Sequence, residues 1–295
     1  MPALGERVKD TIVGTIKGTG EIVNAITETV SGTLTTALKG TGSVGKALTG
    51  AVSDVASGVI HGTSQVGGDL GKASKGAVIG VLRGTKDVGG ETMDAVGSTV
   101  QNLVRTTSEV GGDMASAAQN AMEGAIEGAR DVGVTGVGAV TAAAAGAIQG
   151  AGEVGKAATS ATTDVARGLI QGASNVGGDL GSAARGTMIG MFRGTREFTG
   201  ETAEAVRTTA GSVITTTAEV GGQLASTARA AVEGAIEGAR EIGVDAAEAA
   251  SAAATGAIGA AGQISLAAVE EVQKAATGLI SGVKVVVKAP FQPRA

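Results

Sequence analysis

Apolar side chains return along the chain at steps of three and four residues, and the whole pattern repeats every 22. Divided from Thr19 onward, the sequence falls into twelve units ending at Gly282, among them "TGSVGKALTGAVSDVASGVIHG" and "TSQVGGDLGKASKGAVIGVLRG", with no residue inserted or lost. The fourth position is apolar every time: Ile22, Val44, Val66, Val88, Val110, Val132, Val154, Val176, Phe198, Val220, Ile242 and Ile264. Small or apolar residues also recur at unit positions 8, 11, 15, 19 and 22, while charges collect at 2, 3, 10 and 21. Twenty-two is twice eleven, and eleven residues make about three helical turns. On a helix the small and apolar set therefore forms one stripe, with the charges mostly elsewhere. No proline interrupts the chain between Pro2 and Pro290, which also favours helix. The pattern predicts an all-α protein of amphipathic helices, either long or broken into hairpins. The recurring "VGG" can stop a helix, and Asp or Glu after it can cap the next. A β-solenoid with 22 residues per coil is the alternative. Runs such as "TAAAAGAI" and "EGAIEGARE" lack the period-two alternation it needs.

The glycines keep a phase of their own. Position 18 is glycine in nine units, and in eight of them a second glycine follows four residues later. The pairs are Gly58 and Gly62, Gly80 and Gly84, Gly124 and Gly128, Gly146 and Gly150, Gly168 and Gly172, Gly190 and Gly194, Gly234 and Gly238, and Gly278 and Gly282. This spacing opens a groove into which a second helix backbone can settle, so these residues are the predicted helix-packing glycines. A longer copy is superimposed: "GAVIGVLRGTKDVGGET" from Gly76 returns as "GTMIGMFRGTREFTGET" from Gly186, 110 residues or five units on. Residues 51–150 and 161–260 lie within this duplication. Residues 1–18 read as an N-terminal cap, 19–282 as the repeats and 283–295 as a basic, proline-containing tail.

Composition sharpens the expectation. The chain has 51 Gly, three Phe, and no Trp, Tyr or Cys. Each glycine inside a helix costs about 1 kcal/mol relative to alanine, so no such helix should stand alone in water. It needs a covering surface, either lipid or further copies of the same chain. The uncharged windows Val132–Gly152 and Ala249–Val269 are long enough to span a bilayer, but they are made of Ala, Gly, Thr and Ser. Net charge is −5 with both signs mixed, which argues against nucleic acid as a partner. Glu6, Lys9 and Asp10 stand where a secretory signal would need its apolar stretch. The expected location is cytoplasmic, at the periphery of a membrane or lipid surface.

No reaction chemistry stands out. His61, the one histidine, takes a unit position that usually carries a charged or amide side chain. Glu109, Asp131, Glu219 and Glu241 recur as a repeated face charge and not as a carboxylate pair. "GVTGVGAV" (Gly133–Val140) has glycines without a P-loop lysine. The reading is of a protein that is not an enzyme, with no cofactor and no metal site.

Phrases such as "GTKDVGGETMDAVGSTV" (Gly84–Val100) resemble the 11-residue-periodic helices of repeat-rich perilipins, and in style those of synucleins and late-embryogenesis-abundant proteins. The resemblance covers residues 19–282 and implies helices that form reversibly on lipid or on drying. Fewer lysines than in synucleins, and fewer charges than in the late-embryogenesis proteins, depart from that pattern.

The expected function is a structural repeat protein that coats or scaffolds a lipid surface through its amphipathic face while self-associating through Gly/Ala grooves. Two alternatives remain open: a lipid-independent bundle, tube or filament, and an accessory subunit tethering a complex to membrane. In the tail, Lys284, Lys288, Phe291 and Arg294 form a candidate docking peptide for a protein partner, with Val285–Val287 able to add a strand to it.

Overall fold

The computed structural model describes residues 4–19, 21–38, 44–87, 92–153, 158–194 and 200–287. The protein is all-α, and the chain divides into two compact units, Met1–Gly155 and Lys156–Ala295. The first holds α1 (Leu4–Thr19), α2 (Ile22–Leu38), α3 (Val44–Gln65), α4 (Leu70–Asp87), α5 (Thr92–Glu109), α6 (Met114–Val132) and α7 (Gly136–Glu153). The second holds α8 (Ala158–Asn175), α9 (Leu180–Gly194), α10 (Gly200–Glu219), α11 (Leu224–Glu241), α12 (Ala246–Ile264) and α13 (Leu266–Ala276). It also carries a two-stranded antiparallel hairpin, β1 (Gly278–Ile280) and β2 (Val283–Val285). These are the only strands among the described residues, so the β-solenoid is not formed.

The 22-residue beat is one helix and one joint. The helices α4, α5, α7, α8 and α11 each run for 18 residues, leaving about one turn's length for the connection. In the joints before α4, α6, α9 and α11 a C-terminal glycine cap is followed directly by an N-cap residue. After α3, Gly67 takes φ +67° and its N–H donates to Ser64 O at 3.0 Å; the N–H of Gly68 donates to Thr63 O at 2.9 Å. Both bonds together are the Schellman pattern, and the left-handed residue favours glycine. A Cβ on Gly68 would lie 2.8 Å from the Thr63 methyl, so the second glycine is also required. Asp69 then accepts the Lys72 N–H at 3.0 Å and opens α4. The same pair of bonds recurs at Gly111 and Gly112, Gly177 and Gly178, and Gly221 and Gly222. Asp113, Asp179 and Asp245 cap the helices after three of the joints.

Because every beat contains a joint, the fourth-position residues do not form a stripe along one continuous helix. Val66, Val110, Val176, Val220 and Ile242 lie in the joints, half-buried. Val132 closes α6 and is buried, Ile264 closes α12 and is exposed, and Ile22 opens α2. Val44 opens α3; Val88, Val154 and Phe198 lie outside the described residues. The correction has a physical origin: an apolar residue just before a left-handed glycine tucks the end of its helix against the neighbouring packing, and a whole-number helical period fits that arrangement as well as an unbroken helix.

From α1 to α12 each helix makes its largest interface with a helix two places away, while α13 packs about equally on α11 and α12. In the first unit α1, α3, α5 and α7 pack in sequence, as do α2, α4 and α6; in the second α8, α10 and α12 do, and α9, α11 and α13. The close contacts fix direction. A Cβ on Gly76 would meet Val23 O at 2.7 Å, one on Gly80 would meet Thr27 O at 2.8 Å, and one on Gly84 would meet Ser31 O at 3.2 Å. Both partners advance together, so α2 and α4 run parallel, and their backbones are too close for any side chain between them. Each unit is thus two layers of parallel helices, with successive helices alternating between layers. The core is correspondingly fine-grained: Ala, Val and Gly dominate it, and Phe192 is the largest fully buried side chain among the described residues.

Candidate functional site

The repeated contact surface is the most distinctive chemical feature of the described residues. Gly58 stands against Gly5 O, Gly146 against Gly97 O, Gly150 against Gln101 O and Gly234 against Arg185 O. Gly124 would place a Cβ 2.6 Å from Lys75 O, and Gly62 one 2.9 Å from Lys9 O. Gly128 faces the Leu82 side chain and Gly238 faces the Phe192 ring. Gly168, Gly172 and Gly190 are buried in α8 and α9, and Gly194 ends α9. Gly256, which has no glycine four residues on, stands against Arg207 O in the same way. Gly278 and Gly282 depart from the series. They carry φ of +92° and +79°, have open space beside them, and shape the β-hairpin in place of a helix contact.

Over these glycine seams run charged bridges. Lys75 Nζ on α4 donates to Glu127 at 2.8 Å and Glu123 at 3.4 Å on α6. Arg83 donates to Asp131 at 2.5 Å. The second unit repeats the arrangement between α9 and α11: Arg185 donates to Glu237 through Nε at 2.9 Å, and Arg193 grips Glu241 through Nε at 2.7 Å and Nη2 at 2.9 Å. Burial alone would lower the Lys75 pKa, but the hydrogen bonds and negative charges of Glu127 and Glu123 outweigh it and hold the ammonium above its ordinary value.

An open cleft of about 320 Å³ lies beside the first set, lined by Asn24, Arg83, Glu127, Arg130 and Asp131 among others. One of about 490 Å³ lies beside the second, lined by Arg185, Glu237, Arg240, Glu241 and Ser281 among others. In both, acids and bases face one another across the helix seam. His61 is exposed and borders a third cleft of about 510 Å³ with Glu6, Lys9, Asp54 and Gln65, between α1 and α3. Glu109, Asp131, Glu219 and Glu241 are all exposed near helix ends, and Asp131 and Glu241 serve in the bridges. Among the described residues no group of three or more acidic or histidine side chains is placed to hold a metal ion.

Sequence reading missed the bridges because partners stand 48 to 52 residues apart. The available signal was a base at unit position 13 or 21 answered by acids just over two units later, twice, at the 110-residue offset. The tail reading also changes. Val285, expected to extend toward a partner, pairs with Gly278 within the chain. Lys284 lies exposed in β2, while Lys288, Phe291 and Arg294 lie outside the described residues. The window Val132–Gly152 crosses the α6–α7 joint, and Ala249–Val269 is broken at Ser265, the joint of α12 and α13. Among the described residues no helix is long and apolar enough to cross a membrane.

No protein-family model matches the chain, and no curated protein was found to match it.

Proposed function

We propose that the protein is a non-enzymatic structural scaffold of parallel-packed helices that bury most of their apolar faces against one another and that fold without lipid. One observation carries this reading. Glycines of one helix rest on backbone carbonyls of the helix two before it in the seams α1–α3, α2–α4, α4–α6, α5–α7, α9–α11 and α10–α12, so these small-residue faces are not free for a lipid surface. Such arrays offer long, regular outer surfaces to partners, and their stability grows with each neighbour interface. Circular dichroism of the purified chain in buffer is the test. A helical spectrum with cooperative melting, unchanged by liposomes or oil emulsion, is expected. A coil that becomes helical only with lipid would return the coating function to first place.

That coating function keeps one supporting observation. Ile264, Leu266, Leu279 and Val286 are exposed large aliphatic residues gathered at the end of the second unit, where Lys274 and Lys284 are also exposed. Peripheral contact with lipid would run through these side chains, with the array intact. Vesicle co-sedimentation of the wild-type chain and of a Leu266→Ser, Leu279→Ser variant separates the two readings: loss of binding in the variant supports lipid contact, and no binding by either chain removes it.

A further inference from the structure

The alternation within the second unit reserves a place for whatever follows α13. From α10 on, each helix there packs on the helix two before it, so the next element belongs on α12, and β2 does pack on α12. The element is a hairpin and not a fourteenth helix. It is anchored at both ends: Ile280 and Val285 are 1% and 3% exposed, and Arg240 Nη2 donates to Ser281 O at 3.0 Å. In the first unit the complementary surface stands open. Gly14 precedes Gly58 by 44 residues, and Gly32 precedes Gly76 by the same interval. Gly58 and Gly76 each press on the backbone of an earlier helix, whereas nothing lies within 4 Å of the Cβ positions of Gly14 and Gly32.

We propose that the C-terminal hairpin is a stop that prevents copies of this chain from joining end to end. It covers the side of α12 that would otherwise receive α1 and α2 of a second copy. Their open glycines would settle on that copy as Gly58 and Gly76 do within the chain, continuing an interface already repeated along it. The joined surfaces are different from each other, so association would extend into rows and not close into dimers.

The test uses the full chain with Ile280→Asp and Val285→Asp, which forces the hairpin off its seat. Sedimentation velocity across a concentration series, with circular dichroism alongside and no lipid present, reads the result. The wild-type chain is expected to be monomeric. The variant should keep its helix content while its mass rises with concentration, and adding Gly14→Leu and Gly32→Leu should return it to monomer. A shortened chain ending at Ala276 should behave like the variant. The stop is overturned if the wild-type chain already forms rows, if the helical variant and the shortened chain both stay monomeric, or if the leucines leave association unchanged. It is also overturned if undocking melts the helices, which would make the hairpin part of the fold itself. The inference rests on the self-contained array. Failure of that reading shows separately, as missing helix in the lipid-free wild-type chain.

Discussion

The seams α4–α6 and α9–α11 are copies made 110 residues apart, and they solve one packing problem in two ways. In the first, Leu82 leans on Gly128; in the second, Phe192 takes the same place against Gly238. In the first, Lys75 shares its charge between two glutamates; in the second, Arg185 holds Glu237, and Glu233 turns to Arg229 on its own helix. Arg83 meets the short Asp131 through one nitrogen, while Arg193 forks onto the longer Glu241. The backbone register is the common part: Gly124 sits over Lys75 O, and Gly234 over Arg185 O. The comparison teaches that glycine over carbonyl defines the seam, and that side chains of different size and charge chemistry can be fitted around it.

The largest expected difference lies at the ring. Phe192→Ala should cost about 3–5 kcal/mol and Leu82→Ala about 2–5 kcal/mol, since each leaves a cavity against a glycine that cannot fill it. Chemical denaturation, with hydrogen exchange followed separately in α9–α11 and α4–α6, measures both. An equal or larger loss at Leu82 would show that the second seam has gained nothing from its aromatic side chain.

Next come the shared glycines. Gly124→Val and Gly234→Val should each destabilise by about 1–3 kcal/mol, because the added atoms meet a main-chain carbonyl that cannot swing aside. Gly50→Ala in α3 is the control: nothing lies within 4 Å of its Cβ position, so the helix-propensity gain of up to about 1 kcal/mol should appear unopposed. Thermal melts of the three variants test the claim. A stable Gly124→Val chain would break the idea that the carbonyl contact defines the seam.

Part of this was legible in the amino-acid order. Position 18 glycines such as Gly80 and Gly124 announced close backbone approach, and the absence of proline and of period-two alternation announced helix. The places where helices end were harder to read. An 18-residue helix with a four-residue joint has the same period as six continuous turns, so Val66 and Val110 fit a stripe as readily as a cap. Lys75 and Glu127 could not be paired without knowing that each helix packs parallel to the next but one. Gly278 and Gly282 misled for a related reason: they keep the phase of the contact glycines, but their positive φ serves a turn.

A smaller test lies at the joints before α6 and α11. Thr107 and Thr217 are duplicates, both fully buried in the last turn of their helices. Thr217 donates its hydroxyl to Val213 O at 2.7 Å, whereas the Thr107 hydroxyl has no partner. A buried hydroxyl without a hydrogen bond is a cost, and one with a bond contributes roughly 0.5–1.5 kcal/mol. Thr217→Val should therefore lose about 1 kcal/mol, and Thr107→Val should be neutral or stabilising. Urea titration of the two single variants decides it; equal losses would mean that both hydroxyls are bonded in solution.

The smallest effect separates lysine from arginine by pH. The Lys75 pKa is raised on folding, so the folded chain holds this proton more tightly than the unfolded chain. The resulting stability is fully present below the unfolded lysine value of about 10.4. It is lost as pH rises through the higher folded value, where both states release the proton and the attraction to Glu127 and Glu123 disappears. Arg185 keeps its charge throughout that range. Hydrogen bonds to a charge on partly exposed side chains place the effect at about 1 kcal/mol or less. Melting temperatures measured from pH 9 to 12 for the wild-type chain and for Lys75→Arg should therefore diverge only in the alkaline range, with the arginine variant declining less. Parallel curves would show that the lysine bridge contributes nothing through its charge. The two seams would then differ only in the side chains packed against Gly128 and Gly238.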